Sequence, residues 1–119
     1  MEYQWIDEYL KSMKGVTSDY KKERNWVRYF IGGKMFAAVC MTEKGGTDFV
    51  TLKLEPAEGE FLRRRYEDII PGHYLNKLYW NSVKANGNIP KNLLSDLLEK
   101  SYYLVLSKIS KKQKEELFC

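Results

Sequence analysis

One histidine, two cysteines and three prolines stand among 119 residues, and each scarcity removes a class of chemistry. A Ser-His-Asp triad would have to use His73, no serine lies in a Gly-x-Ser-x-Gly elbow, and neither His-Glu-x-x-His nor Cys-x-x-Cys occurs. His73 with Glu67 or Asp68 is a poor metal set, and the expectation is a hydrogen-bonded loop histidine with no catalysis and no metal. Two cysteines cannot make a Cys-rich zinc site, and no export signal is read at the N-terminus, so free thiols and a cytoplasmic location are expected. Cys40, in the most apolar segment, is expected to be an inert small hydrophobe, and Cys119 an exposed, reactive one. The longest apolar run, Met35 to Met41, is far short of the ~20 residues that cross a bilayer. Gly32-Gly33-Lys34 and Lys44-Gly45-Gly46-Thr47 lack the spacing of a phosphate-wrapping Walker loop and read as hairpin turns. No enzyme and no cofactor is therefore expected.

What is present fits one globular domain, 1–119, with 44% hydrophobic residues and enough length to bury roughly two-thirds of its unfolded surface. Lysine and arginine exceed the acids by 20 to 16, a formal +4, which permits an anionic partner without demanding one. The distribution is more informative than the total. Lys11 to Lys34 holds seven basic residues against Asp19 and Glu23, and Lys100 to Lys114 holds five lysines and no acid. Glu55 to Asp68 is net acidic despite Arg63, Arg64 and Arg65, which splay around a helix too widely for all three to reach one phosphate path.

Ile6, Tyr9, Leu10 and Met13 form the stripe of an amphipathic helix over Glu2 to Lys14, ended by Gly15. Trp26 to Leu54 reads as a three-strand antiparallel meander. Val27, Tyr29 and Ile31 share one face, Met35 to Met41 is apolar on both, and Val50, Leu52 and Leu54 point inward with Thr51 and Lys53 outward. Pro56 ends the third strand, and a short helix carrying Phe61, Leu62, Arg65 and Tyr66 follows. A second β segment is predicted across Ile69 to Leu75 and Tyr79 to Ala85, closed by Asn86-Gly87. Pro90 suits the first turn of a helix whose apolar spacing runs from Leu94 to Ile109. Ser110 with Gln113 matches a capping box for a terminal helix, Lys111 to Phe118.

The densest cluster of unusual residues, Pro71 to Val83, resembles the MmcQ/YjbR family, whose signature is close to Pro-Gly-Tyr-His-Met-Asn-Lys-x-His-Trp-Asn-Thr-Val. Pro71, Gly72, Asn76, Lys77, Trp80, Asn81 and Val83 match it, as do Gly87, Ile89-Pro90 and Ser101-Tyr102 downstream. His73 stands where the family usually has an aromatic, Tyr74 where it has histidine, and Tyr79 where a second histidine is common. Acid–base chemistry by either family histidine would not be available here. The resemblance implies an α+β, two-layer domain similar to secretion-chaperone-like folds. It also implies a bacterial-type double-wing role in which two β hairpins contact DNA.

On that reading Arg28, Lys34 and Lys44, in or beside the meander's turns, meet phosphates of double-stranded DNA together with Lys77, Lys108, Lys111 and Lys112. Asn76 and Lys77 have a competing role in capping the backbone of a tight connection. Trp80 reads as a core anchor rather than a base-stacking platform. The competing function is a small protein-interaction module, for which the chaperone-like fold and the abundance of tyrosine are the argument.

Overall fold

Ile6 and Leu10, one turn apart and fully buried, draw residues Tyr3–Ser12 into the first helix, α1. The structure is a computed structural model that describes residues 3–72 and 75–118. The chain leaves α1 through Gly15 at φ +80, where a Cβ would lie 2.9 Å from Ile31 Cδ1, so both conformation and space require glycine. Thr17–Lys21 then forms β1, a strand the hydropathy does not announce. Asp19 and Tyr20 point to opposite sides of a mostly exposed strand, and its assignment rests on backbone pairing to β2 (Trp26–Ile31), with Thr17 opposite Phe30 and Lys21 opposite Trp26. A 3-10 turn, Lys22–Arg24, joins the two and ends at Asn25, φ 47. The Asn25 side-chain amide donates to the carbonyls of Met41 and Thr42, which ties this turn to the far end of the strand that follows β2.

The expected meander is present as β2, β3 (Lys34–Met41) and β4 (Thr47–Lys53). Ala37 lies opposite Tyr29 on one side and Leu52 on the other. A register shift after Tyr29 makes a bulge that turns both Phe36 and Ala37 into the core. Helix α2 (Pro56–Arg65) has its proline in the first turn. It is followed by β5 (Ile69–Pro71) and β6 (Trp80–Lys84), and the six-stranded antiparallel sheet has the order β1-β2-β3-β4-β6-β5. The β segment expected to reach Leu75 is strand only to Pro71, and one further backbone bond, from the Gly72 N–H to the Trp80 carbonyl, closes the neck of the loop that follows. Helix α3 (Lys91–Leu106) begins after Pro90, which is its cap rather than a first-turn residue, and its carbonyl accepts from the Leu94 N–H at 3.0 Å. Its apolar spacing extends to Ile109, but the helix ends at Leu106 and Ile109 is buried in the bend beyond it. Helix α4 (Lys111–Phe118) has the expected capping box. The Gln113 N–H donates to Ser110 Oγ at 3.1 Å, and the Ser110 N–H donates to Gln113 Oε1 at 3.2 Å.

The main core lies between one sheet face (Tyr29, Ile31, Val39, Val50, Leu52, Val83) and the buried sides of α1 and α3. Two polar side chains fix the layers. Ser101 Oγ of α3 donates to the Phe36 carbonyl at 2.6 Å and accepts from the Lys53 N–H at 2.8 Å, and the Tyr102 hydroxyl donates to the Lys14 carbonyl at 2.6 Å. The second face carries a smaller cluster, Trp26, Ala38 and Cys40, against which Leu75 packs from the loop. This explains why β3 is apolar on both sides. No helix among the described residues is long and apolar enough to cross a membrane.

Candidate nucleic-acid interface

The motif loop between β5 and β6 is closed at its neck by backbone pairing. The Gly72 N–H donates to the Trp80 carbonyl at 2.7 Å, and the Trp80 N–H donates to the Asn76 carbonyl at 3.0 Å. A Cβ on Gly72 would come within 2.5 Å of Trp80 Cβ, so glycine at this position is dictated by how tightly the neck closes. Asn76 Oδ1 accepts from the Leu78 N–H at 2.8 Å, and Lys77 Nζ donates to the Gly72 carbonyl at 3.0 Å. Trp80 is buried, as expected of a core anchor, but it does not share a face with the other apolar motif residue of β6, Val83. Trp80 is opposite Lys53 and Val83 opposite Val50, so the two point to different sides of the sheet. Asn81, on the helix-covered side, accepts from Arg63 of α2 and donates to the Tyr79 carbonyl. The motif residues thus shape and anchor a loop. His73 and Tyr74, and with them the expectation of a metal-free loop histidine, lie outside the described residues, as does Cys119. Among the described residues no cluster of three His, Cys, Asp or Glu side chains is placed to hold a metal. Burial pushes the Cys40 thiol above its ordinary pKa, partly offset by a hydrogen bond with Thr51.

The basic residues singled out in the sequence are not all gathered on one surface. Arg28 lies within β2 and not in a turn. Its guanidinium makes a two-pronged pair with Asp19 of β1 at 2.8 and 2.6 Å and sits 5.0 Å from the Phe30 ring centroid. That hydrogen bond holds the Asp19 carboxyl below the usual aspartate range and raises Arg28. Lys77 is engaged with its own loop, as described. Lys44 and Lys34 follow and begin β3 respectively, and so sit at opposite ends of a strand roughly 25 Å long. Consecutive turns of a meander must alternate ends, so the two hairpin tips do not converge on one surface.

Lys34, Lys108, Lys111 and Lys112 do share one end of the molecule. The reason is the docking of the α3–α4 bend on the β2–β3 turn. At Gly32, φ +58, a Cβ would meet Ile109 Cγ2 at 2.9 Å, and Gln113 Nε2 donates to the Gly32 carbonyl at 3.2 Å. A concavity of about 340 Å3 opens there, lined by Lys34, Lys53, Tyr79, Leu104, Val105 and Lys108. Lys53 and Tyr79 were not expected at this site. Their only sequence signal is that Lys53 is the outward residue at the end of an inward-pointing strand pattern. On the other side of α3, Lys111 and Lys114 rim an apolar groove of about 550 Å3 floored by Tyr103, Leu106 and Phe118.

An α+β domain with helices on one sheet face, a tightly necked motif loop reaching over the other and a lysine-rich end defines the class. The chain belongs to the YjbR family, whose model matches residues 11–104. It is similar to the uncharacterised protein YbdF of Escherichia coli O157:H7, 33% identical over 87 residues, 73% of this chain and 70% of that protein. It is also similar to the uncharacterised protein YyaQ of Bacillus subtilis, 27% identical over 111 residues, 83% of this chain and 93% of that protein. Among solved structures, protein DR2400 of Deinococcus radiodurans, with a DUF419 domain, superposes with a TM-score of 0.87 at 27% identity, covering 98% of this chain and 87% of that one. A Pseudomonas syringae protein shares the fold with a TM-score of 0.71 at 22% identity, covering 87% of this chain and 98% of its own.

Proposed function

We propose that this protein is a non-catalytic binder of duplex nucleic acid, double-stranded DNA foremost, that contacts phosphates through Lys34, Lys108, Lys111 and Lys112. The observation that supports it is the packing of Ile109 and Gln113 on Gly32, which gathers these lysines from a hairpin turn, a helix bend and a helix start onto one end. Contacts of this kind give affinity without reading bases. Engagement of four lysines with about four phosphates gives a log K that falls against log salt with a slope of roughly −3.6. Fluorescence anisotropy of a duplex of about two helical turns, titrated at several salt concentrations, measures that slope. Absence of binding at low salt by folded protein rejects the reading.

One observation favours a second reading, a protein-interaction module: the apolar groove between α3 and α4, where Tyr103 is 57% exposed. That reading expects no salt-dependent duplex binding.

A further inference from the structure

The concavity at the end of the sheet contains more than a duplex backbone needs. Its cations come from three separate elements: Lys34 begins β3, Lys53 ends β4 and Lys108 sits in the α3–α4 bend. No carboxylate lines it, and none of the three ammonium groups is ion-paired among the described residues. The chain turns out of α3 beside them. Its carbonyls at Tyr103, Val105 and Leu106 already accept the N–H groups of Ser107, Lys108 and Ile109. Lys53 is steered by Tyr79, whose ring centroid lies 5.4 Å from its Nζ. Tyr79 is in turn held at its carbonyl by the Leu54 N–H at 2.8 Å and the Asn81 amide at 3.2 Å.

We propose that this pocket binds a phosphate monoester, with Lys34, Lys53 and Lys108 donating to its oxygens. A monoester carries close to two charges at neutral pH and three terminal acceptor oxygens, which matches three unpaired ammonium donors. A diester in a running strand has one charge and chain on both sides. A recess of about 340 Å3 is the size of a small-ligand site and admits a chain end, not a through-running backbone. Two sources of such a monoester are distinguished by the test, the 5′-terminal phosphate of a nucleic acid strand and the phosphate of a free mononucleotide. The first alternative rests on the duplex-binding reading above, and the second does not.

The test reads amide chemical shifts of the folded protein during titration with inorganic phosphate, with a 5′-mononucleotide, and with chloride at matched ionic strength. In parallel, anisotropy compares one duplex with 5′-phosphate and with 5′-hydroxyl ends. The expected result is saturable shifts at Lys34, Lys53, Tyr79 and Lys108 with phosphate and not with chloride, weakened about fivefold or more in Lys53→Gln. Preference of about fivefold for the phosphorylated duplex, absent in Lys53→Gln while that variant keeps the parent affinity for the hydroxyl-ended duplex, identifies the strand end as ligand. Saturation by the mononucleotide without that preference identifies the free nucleotide. Should Lys53→Gln lose its native spectrum, Lys108→Gln, at an exposed position, reads the phosphate affinity instead. Equal affinity for both duplexes with no saturable shift from phosphate or nucleotide overturns the pocket and leaves duplex binding standing. Saturable phosphate binding without binding of either duplex leaves the pocket and removes the duplex reading.

Discussion

Ser101 is fully buried and spends its hydroxyl on two backbone groups of different strands, the Phe36 carbonyl and the Lys53 N–H. Ser101→Ala leaves both without that partner, and the expected loss is about 1–3 kcal/mol in urea unfolding. A loss well below this range would mean that Phe36 and Lys53 close up and bond each other directly. Arg28 and Asp19 belong to the same scale. The Arg28 hydrogen bond lowers the Asp19 carboxyl in the folded state, so the pair stabilises the fold above the ordinary aspartate pKa of about 3.9 and loses that contribution as pH falls through the lowered folded value. Both side chains are partly solvated, 25% and 41% exposed, which keeps the effect below about 1 kcal/mol. Unfolding curves of Asp19→Asn and the parent are therefore expected to differ at neutral pH and to converge as pH falls through the lowered Asp19 value. Divergence in the opposite direction would mean that the pair does not form.

Elements differ in what holds them. Helix α4 has no fully buried residue, and a helix of this length has little stability of its own in water. Its attachment runs through the capping box, the Gln113–Gly32 bond and the partial packing of Leu117 and Phe118. Gln113→Ala removes the clamp on Gly32 and the side-chain half of the capping box, while the backbone N–H at 113 keeps its bond to Ser110 Oγ. Amide exchange in 114–118 is expected to accelerate by about tenfold or more, with β3 amides unchanged. If the α4 amides keep their protection, the apolar contacts at Leu117 and Phe118 carry the docking. Strand β1 is the converse case, with no apolar stripe, held by its ladder to β2 and by the Arg28–Asp19 pair.

The whole molecule has two ends, and its function is expected to reside at one. Lys44 sits in the turn after β3, away from the end that carries Lys34, Lys108, Lys111 and Lys112. Charge reversal of Lys34 and Lys108 together is expected to weaken every duplex sequence about equally and to flatten the salt slope by roughly two units. Lys44→Glu is expected to leave both affinity and slope close to the parent's. Equal losses from Lys44→Glu and the double variant, measured by the same anisotropy titration, would mean that charge acts through the overall field and not at a site.

The features legible in the sequence are those set by near neighbours. The stripe Ile6, Tyr9, Leu10, Met13 specifies α1, Ser110 with Gln113 specifies the start of α4, and Gly32-Gly33 specifies the hairpin, because periodicity, caps and turn dihedrals act over a few residues. The Pro71-to-Val83 motif carried the family in the same way. Tertiary structure alone decided the rest. β1 has no hydrophobic signature and exists through its pairing with β2. β6 lies between β4 and β5 because Val83 completes the face begun by Val50 and Leu52. Charged side chains follow no such period, so nothing local shows that Arg28 is paired with Asp19, that Lys77 turns back to Gly72, or that Lys53 joins Lys34 and Lys108. Those outcomes depend on which distant backbones the buried core brings together, and the core is formed by contacts that the order of residues encodes only collectively.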